Sequence, residues 1–190
     1  MHQSFPGEAE LIATIDAAVA LGEPRAITGA LSRSLSRLIA EQRVELPPAV
    51  FEADETHYAR RLLHLSEAHG YSVIAMTWAP GQGTLIHDHA GLWCVEGVWR
   101  GALEVTPYDL LETAGEEARF RAQTTIHAGC GSTGSLIPPF EYHTIRNADP
   151  EAIAVSVHVY SQAMNRCTVF EPLRGEWHRR LERVLETEPD

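Results

Sequence analysis

A chain of 190 residues is long enough to bury a substantial core without disulfide staples, which favours one domain. Its 26 acidic against 15 basic side chains, a net charge of −11, oppose docking on nucleic-acid phosphates or anionic lipid, where Lys and Arg clusters supply most of the affinity. Three cysteines without a CxxC pair (Cys94, Cys130, Cys167) disfavour a disulfide framework and a zinc ribbon; with no apolar run near the roughly 20 residues of a membrane span and no secretory pattern at the start, a cytoplasmic protein is expected.

Residues 8 to 21 read as a helix, with Leu11, Ile12, Ile15, Ala18 and Val19 recurring at three and four. Gly22-Glu-Pro24 stops it, and a second helix is predicted from about Pro24 to Arg43 on the stripe Leu31, Leu35, Leu38, Ile39. Leu46-Pro-Pro48 ends that one. The block Tyr58 to Leu65 fits more than one state. From Tyr71 the period changes to two: Tyr71–Trp78, Leu92–Trp99, Ala102–Tyr108 and Ala152–Tyr160 are short β-rich runs punctuated by Gly, Pro, Asn and Asp. Such spacing suggests an all-β sandwich or barrel. Glu176 to Glu188 reads as a closing helix, with Trp177, Leu181, Val184 and Leu185 on one side. The expectation is one β-barrel domain: a helical arm over residues 1–50, a barrel over about 56–172 and a C-terminal helix over 173–190.

The stretch with most chemistry in it is Gly81-Gln-Gly-Thr-Leu-Ile-His87-Asp-His89. On a strand, positions i and i+2 share a face, so His87 and His89 can aim two ring nitrogens at one point. Neutral imidazole suits divalent iron, copper, nickel and zinc. Alone, the pair also fits the wet face of an antiparallel sheet. A third histidine follows in Pro138-Pro-Phe-Glu-Tyr-His143-Thr-Ile-Arg-Asn147.

Together these stretches resemble the two motifs of the cupins. Gly81-x5-His87-x-His89 followed by Cys94 and Gly101 is similar to the first, with cysteine where many cupins have a glutamate ligand. Pro138-x4-His143-x3-Asn147 is similar to the second, with Phe140 in place of its usual glycine. A cupin that keeps three histidines and lacks that glutamate resembles the thiol dioxygenases, the family of cysteine dioxygenase, and four further matches support this. Ser156-x-His158-x-Tyr160 matches the family's Ser-x-His-x-Tyr strand. Cys94 lies where the mammalian-type enzymes carry the cysteine that crosslinks to that tyrosine. Tyr58-x-Arg60 resembles the segment whose arginine binds the substrate carboxylate, and Cys167 has a counterpart near the active site. The match covers roughly residues 56 to 172. It departs where Ser161-Gln162 follows Tyr160 in place of Ser-Pro-Pro.

The resemblance implies a mainly β, double-stranded β-helix (jelly-roll) barrel with an N-terminal helical arm. It implies Fe(II) held by His87, His89 and His143, with positions left for a small thiol carboxylate and O2. Metals deprotonate a coordinating thiol, and holding both reactants at one centre supplies proximity. On the same basis Ser156 and the Tyr160 hydroxyl are expected to hold the two nitrogens of His158, a Cys94–Tyr160 thioether would fix the phenol, and Tyr58 and Arg60 would bind the substrate. Arg61 is Arg60's rival for the carboxylate. L-cysteine is the first expected substrate, with 3-mercaptopropionate or mercaptosuccinate next, and a monomer or weak homo-oligomer is expected. Against these stand a metal-dependent cupin isomerase or other oxygenase, which predicts glutamate at position 94, and a non-catalytic metal- or ligand-binding cupin, which leaves the Ser156-His158-Tyr160 line and Arg60 without a purpose. Cys130 and the histidines 64, 69, 127 and 178 fall outside any convergent pattern.

Overall fold

Two helices open the chain in the computed structural model, which describes residues 4–139 and 141–188. Phe140 of the second motif therefore lies outside the described residues. Helix α1 (Glu8–Val19) buries Leu11, Ile15 and Ala18, the stripe its spacing predicts. Helix α2 (Pro24–Ala40) starts with Pro24 in its first turn and the Glu23 carboxylate accepting from the Ala26 amide at 2.9 Å. It buries Ile27, Leu31, Leu35 and Leu38 and ends just before Gln42, at φ 52°, a little earlier than its periodicity suggests. Among the described residues no helix is long and apolar enough to cross a membrane.

Among the described residues twelve antiparallel strands follow, in two sheets. The five-stranded sheet runs in the order β1 (Ala59–Leu65), β2 (Ser72–Trp78), β10 (Ala154–Tyr160), β4 (Cys94–Arg100), β8 (Thr133–Leu136). The seven-stranded sheet runs β6 (Glu117–Ala122), β12 (Trp177–Val184), β11 (Arg166–Arg174), β3 (Ile86–His87), β9 (His143–Asn147), β5 (Ala102–Ala114), β7 (Ile126–Gly129). Most neighbours are distant in sequence, the crossing pattern of a jelly roll. Strands β2 and β10 are buried along their whole length because both their faces are covered. Val73, Ala75, Val155, Val157 and Val159 pack with Leu31 and Leu35 of α2. Ile74, Met76, Trp78 and Tyr160 join Val98, Leu103 and Ile145 between the sheets. Period-two alternation thus divides each strand between a helix-facing core and the barrel interior.

Ser32 and Ser36 seat α2 on the barrel, the first hydroxyl 2.8 Å from Thr133 Oγ1 and the second donating to the Gly131 carbonyl at 2.8 Å. Beneath α2, Gly97 leaves room for Ile39, which a Cβ at that position would meet at 3.2 Å. The ambiguous block resolves as β1, whose register pairs Arg60 with Met76 and Arg61 with Ala75.

One expectation is overturned. The C-terminal segment 173–190 holds no helix among its described residues; Trp177–Val184 is strand β12, reached from β11 through a turn at Gly175, φ 57°. The spacing of Trp177, Leu181 and Leu185 suits a helix, but it also puts all three on one face of a strand. Extended, the segment pairs along β11 and with β6, covering two backbone edges that a helix would leave open. The barrel therefore runs past residue 172, as far as Val184.

Candidate metal centre

His87 and His143 stand directly opposite each other, paired across β3 and β9. Strand β3 ends at His87, so His89 lies just beyond it and not on a continuous strand as the spacing alone suggests. Asp88 ends the strand. Its Oδ1 accepts from the Ala90 amide at 3.0 Å and from Thr168 at 2.8 Å, and Ala90 and Gly91 turn the chain at φ 53° and 79°. His89 still faces its partners: one donor atom from each of the three histidines lies within 4.8 Å of the others. Upstream, Gly83 lies against β9, where a Cβ would stand 2.7 Å from the Ile145 carbonyl oxygen.

The rings are oriented as ligands. Nδ1–H of His143 donates to the Glu141 carbonyl at 2.7 Å, and Nδ1–H of His87 to that of Leu85 at 3.1 Å, which turns each Nε2 lone pair inward. Nε2 of His143 and Nδ1 of His89 are buried with no hydrogen-bond partner. Burial, then the neighbouring rings, hold His89 and His143 well below the usual imidazole range, and burial lowers His87. Three neutral imidazoles in one spot, two of them with an orphaned ring nitrogen, are the donor set of a divalent transition-metal ion, so the residues fit the iron that the resemblance implies.

Around the histidines about 30 Å³ of free space is walled by Tyr58, Arg60, Trp78, His158, Tyr160 and Cys167, among others. Tyr58 stacks on Trp78 with centroids 4.6 Å apart. The β1 register decides between the two arginines. Arg60 points into the barrel, 4 % exposed, its Nη1 donating to the Glu186 carbonyl at 3.0 Å and its Nη2 to that of Met164 at 2.9 Å, while Nε is buried without a partner. Arg61 points the other way, to Thr77 Oγ1 and the Glu52 carbonyl.

Cys94 and Tyr160 are directly opposite across β4 and β10, both buried. Opposed Cβ atoms are about 5 Å apart in such a pair, so the register brings thiol and phenol into reach of one another. Burial raises both groups well above their ordinary values, which leaves them protonated at neutral pH.

The Ser156-His158-Tyr160 line is partly as expected. Ser156 Oγ is 2.8 Å from His158 Nε2 and accepts from Trp78 Nε1 at 2.9 Å. Indole is a donor only, so the serine proton is directed at Nε2, and neutral His158 carries its own proton on Nδ1. The expected bond from the Tyr160 hydroxyl to His158 is absent from the hydrogen bonds among the described residues. The two rings lie nearly parallel at 12°, centroids 5.9 Å apart, because i and i+2 side chains on one strand stack face to face. Nδ1 instead faces Cys94 Sγ at 4.0 Å and Glu96 Oε2 at 3.6 Å.

Two residues near the site escape a sequence reading. Glu96 pairs in register with His158, its Oε2 buried without a hydrogen bond. Burial raises its carboxyl to about 7, while burial, then the positive charge of Arg60 and the neighbouring His87 ring, lower His158 to about 3. Its signal was position, two residues past Cys94 on the same strand face. Glu96 belongs to the wall of a second cavity of about 360 Å³ and not to the histidine site. Arg183 on β12 does border the histidine site. It was hidden because its segment reads as a helix. Asn147, buried beside the second motif, is structural: its Nδ2 donates to the Trp78, Ala79 and Ala152 carbonyls at 3.0, 3.3 and 2.9 Å. Cys130 is exposed, its thiol on the Trp99 carbonyl, and His127 is exposed on β7.

A jelly-roll barrel with three inward histidines, two on facing strands and one just past the first, is a cupin with a candidate metal-binding centre. Comparison with known sequences narrows this: the family described as cysteine dioxygenase type I matches residues 48–172, and the chain belongs to that family. Cysteine dioxygenase type 1 of Rattus norvegicus is 26% identical over 170 residues, covering 80% of this chain and 82% of that protein. The Homo sapiens protein of the same name is 25% identical with the same coverage. Among solved structures, a Thermus thermophilus protein aligns with a TM-score of 0.46 at 16% identity, over 59% of this chain and 90% of its own. An oxalate oxidase in complex with glycolate aligns at 0.44 and 19% identity, over 62% and 59%.

Proposed function

We propose that the protein is an Fe(II)-dependent thiol dioxygenase that converts a small thiol carboxylate into its sulfinate. The observation that carries this is the trio of neutral imidazoles, two of which share a wall with Arg60 and Tyr160, together with membership of the cysteine dioxygenase family. The balance is one thiol and one O2 giving one sulfinate and one proton. Bound by His87, His89 and His143, Fe(II) supplies the redox chemistry that joins O2 to sulfur. The chain's own residues do the rest. Arg60 offers a planar guanidinium for the carboxylate, in a position where its charge is not cancelled by an acid. Tyr58, stacked on Trp78, closes the side of the pocket. Tyr160, kept protonated by burial, presents a phenolic O–H as donor, held by its neighbour Cys94 or by a thioether to it. Ser156 fixes the tautomer of His158 behind that pair.

L-cysteine, 3-mercaptopropionate and mercaptosuccinate all carry the two groups this pocket reads. An isomerase or another metal oxygenase of the cupin type finds cysteine where its glutamate ligand belongs. A non-catalytic metal-binding cupin leaves the buried Nε of Arg60, in the wall beside the histidines, without a partner. The test is metal content with oxygen uptake on those thiols, repeated on His89→Ala. The parent is expected to hold one iron per chain and to form sulfinate, and the variant to lose both. Full iron occupancy in His89→Ala would remove His89 from the site, and an iron-loaded parent inert to every thiol would overturn the activity.

A further inference from the structure

Resting on the thiol dioxygenase reading, we infer that Arg183 is a second carboxylate-binding residue, and that the preferred substrate is a thiol bearing two carboxylates. In β12 Arg183 pairs with Cys167, which also faces the histidine site. Arg183 borders that site and also a wider vestibule of about 510 Å³, and it shares both with Tyr58, Arg60 and Leu185. It stands where a substrate anchored by Arg60 would present its outer end.

Charge is the deciding quantity. The wall of the histidine cavity contains two arginines and no Asp or Glu. Arg60 meets backbone carbonyls only, and Arg183 has no ion pair within 4 Å among the described residues. Acids do stand nearby, but their bonding lies elsewhere. Asp88 Oδ1 takes the Ala90 and Thr168 amides, and Glu188 pairs with His57 at 2.9 Å. Glu186 and Glu188 line the outer vestibule and not the inner wall. Burial raises Tyr58 and Cys167, helped at Cys167 by Asp88, and the positive charge of Arg183 works against it at both.

A divalent cation and two guanidiniums give the site four positive charges. A thiolate with one carboxylate returns two negatives, and the ammonium of cysteine takes one of them back. A thiolate with two carboxylates returns three, and it alone gives Arg183 a partner. Planar forks match carboxylates in two-bond geometry, so each arginine can hold one.

The test compares mercaptosuccinate, 3-mercaptopropionate and L-cysteine on the iron-loaded parent, Arg183→Gln and Arg183→Lys, with iron content checked in each. The parent is expected to show its highest kcat/KM on mercaptosuccinate. Arg183→Gln should lower the ratio of kcat/KM for mercaptosuccinate over 3-mercaptopropionate about 10-fold or more, through KM, as for a lost charge-assisted pair. Lysine should restore part of it. An unchanged ratio in Arg183→Gln, or a parent that prefers a monocarboxylate, would overturn the inference. A second arm does not need turnover: binding to the zinc-loaded protein, followed by quenching of Trp78 beside Tyr58. Tighter, Arg183-dependent binding of mercaptosuccinate by a parent inert to all thiols would sink the dioxygenase reading and leave the role of Arg183 standing. Equal binding of the two thiols would sink that role by itself.

Discussion

Glu96 is a carboxylate held against its chemistry. Burial alone raises it from 4.5 to about 7, and its side chain is 13% exposed. A carboxyl raised in the folded state binds more protons folded than unfolded between those values. Its contribution to stability is therefore whole below about 4.5 and is lost as pH rises through about 7, a loss on the order of 3 kcal/mol from the size of the shift. Glu96→Gln keeps the shape and removes the titration. Urea unfolding of the two proteins should show glutamine gaining on glutamate as pH rises from 4.5 to 7 and levelling off above. A difference that stays flat across that range would show the carboxyl titrating normally.

The helices and the strands record different amounts of themselves in the sequence. Helix α2 is legible because Leu31, Leu35 and Leu38 repeat at helical spacing and bury together. Leu35 is fully buried between α2 and the five-stranded sheet, so Leu35→Ala should cost about 2–5 kcal/mol, read by denaturant melts. Iron bound per folded chain should not change, since the helix packs on the outer face of the barrel. A cost under about 1 kcal/mol would mean that α2 is not part of the cooperative core. Strand β12 was illegible for a physical reason: its apolar residues suit either state, and the backbone edges of β11 and β6 that choose between them lie elsewhere in the chain. Arg60 was separated from Arg61 in the same way, by the pleat of a strand whose register is set by β2.

Across the whole molecule the legible part of the site is the part written in short motifs. His87 and His143 are brought together by the cross-strand pair of β3 and β9, with His89 at the turn just past it, and Cys94 meets Tyr160 through the β4–β10 register. Glu96 and Arg183 carry no motif; only closure of the barrel places them. Closure also sets the electrostatics. A chain of net charge −11 lines its histidine cavity with arginines and no acid, so the local field opposes the global one where the proposed anionic substrate would bind.

In the proposed reaction the three-histidine centre inserts both atoms of one O2 into the sulfur of a thiol carboxylate. Turnover of the iron-loaded protein under ¹⁸O2, with mass analysis of the product, tests it most directly. The expected product is a sulfinate carrying two labelled oxygens, with one O2 consumed per product. A sulfinate with one label or none, or oxygen consumed without sulfinate, would contradict it.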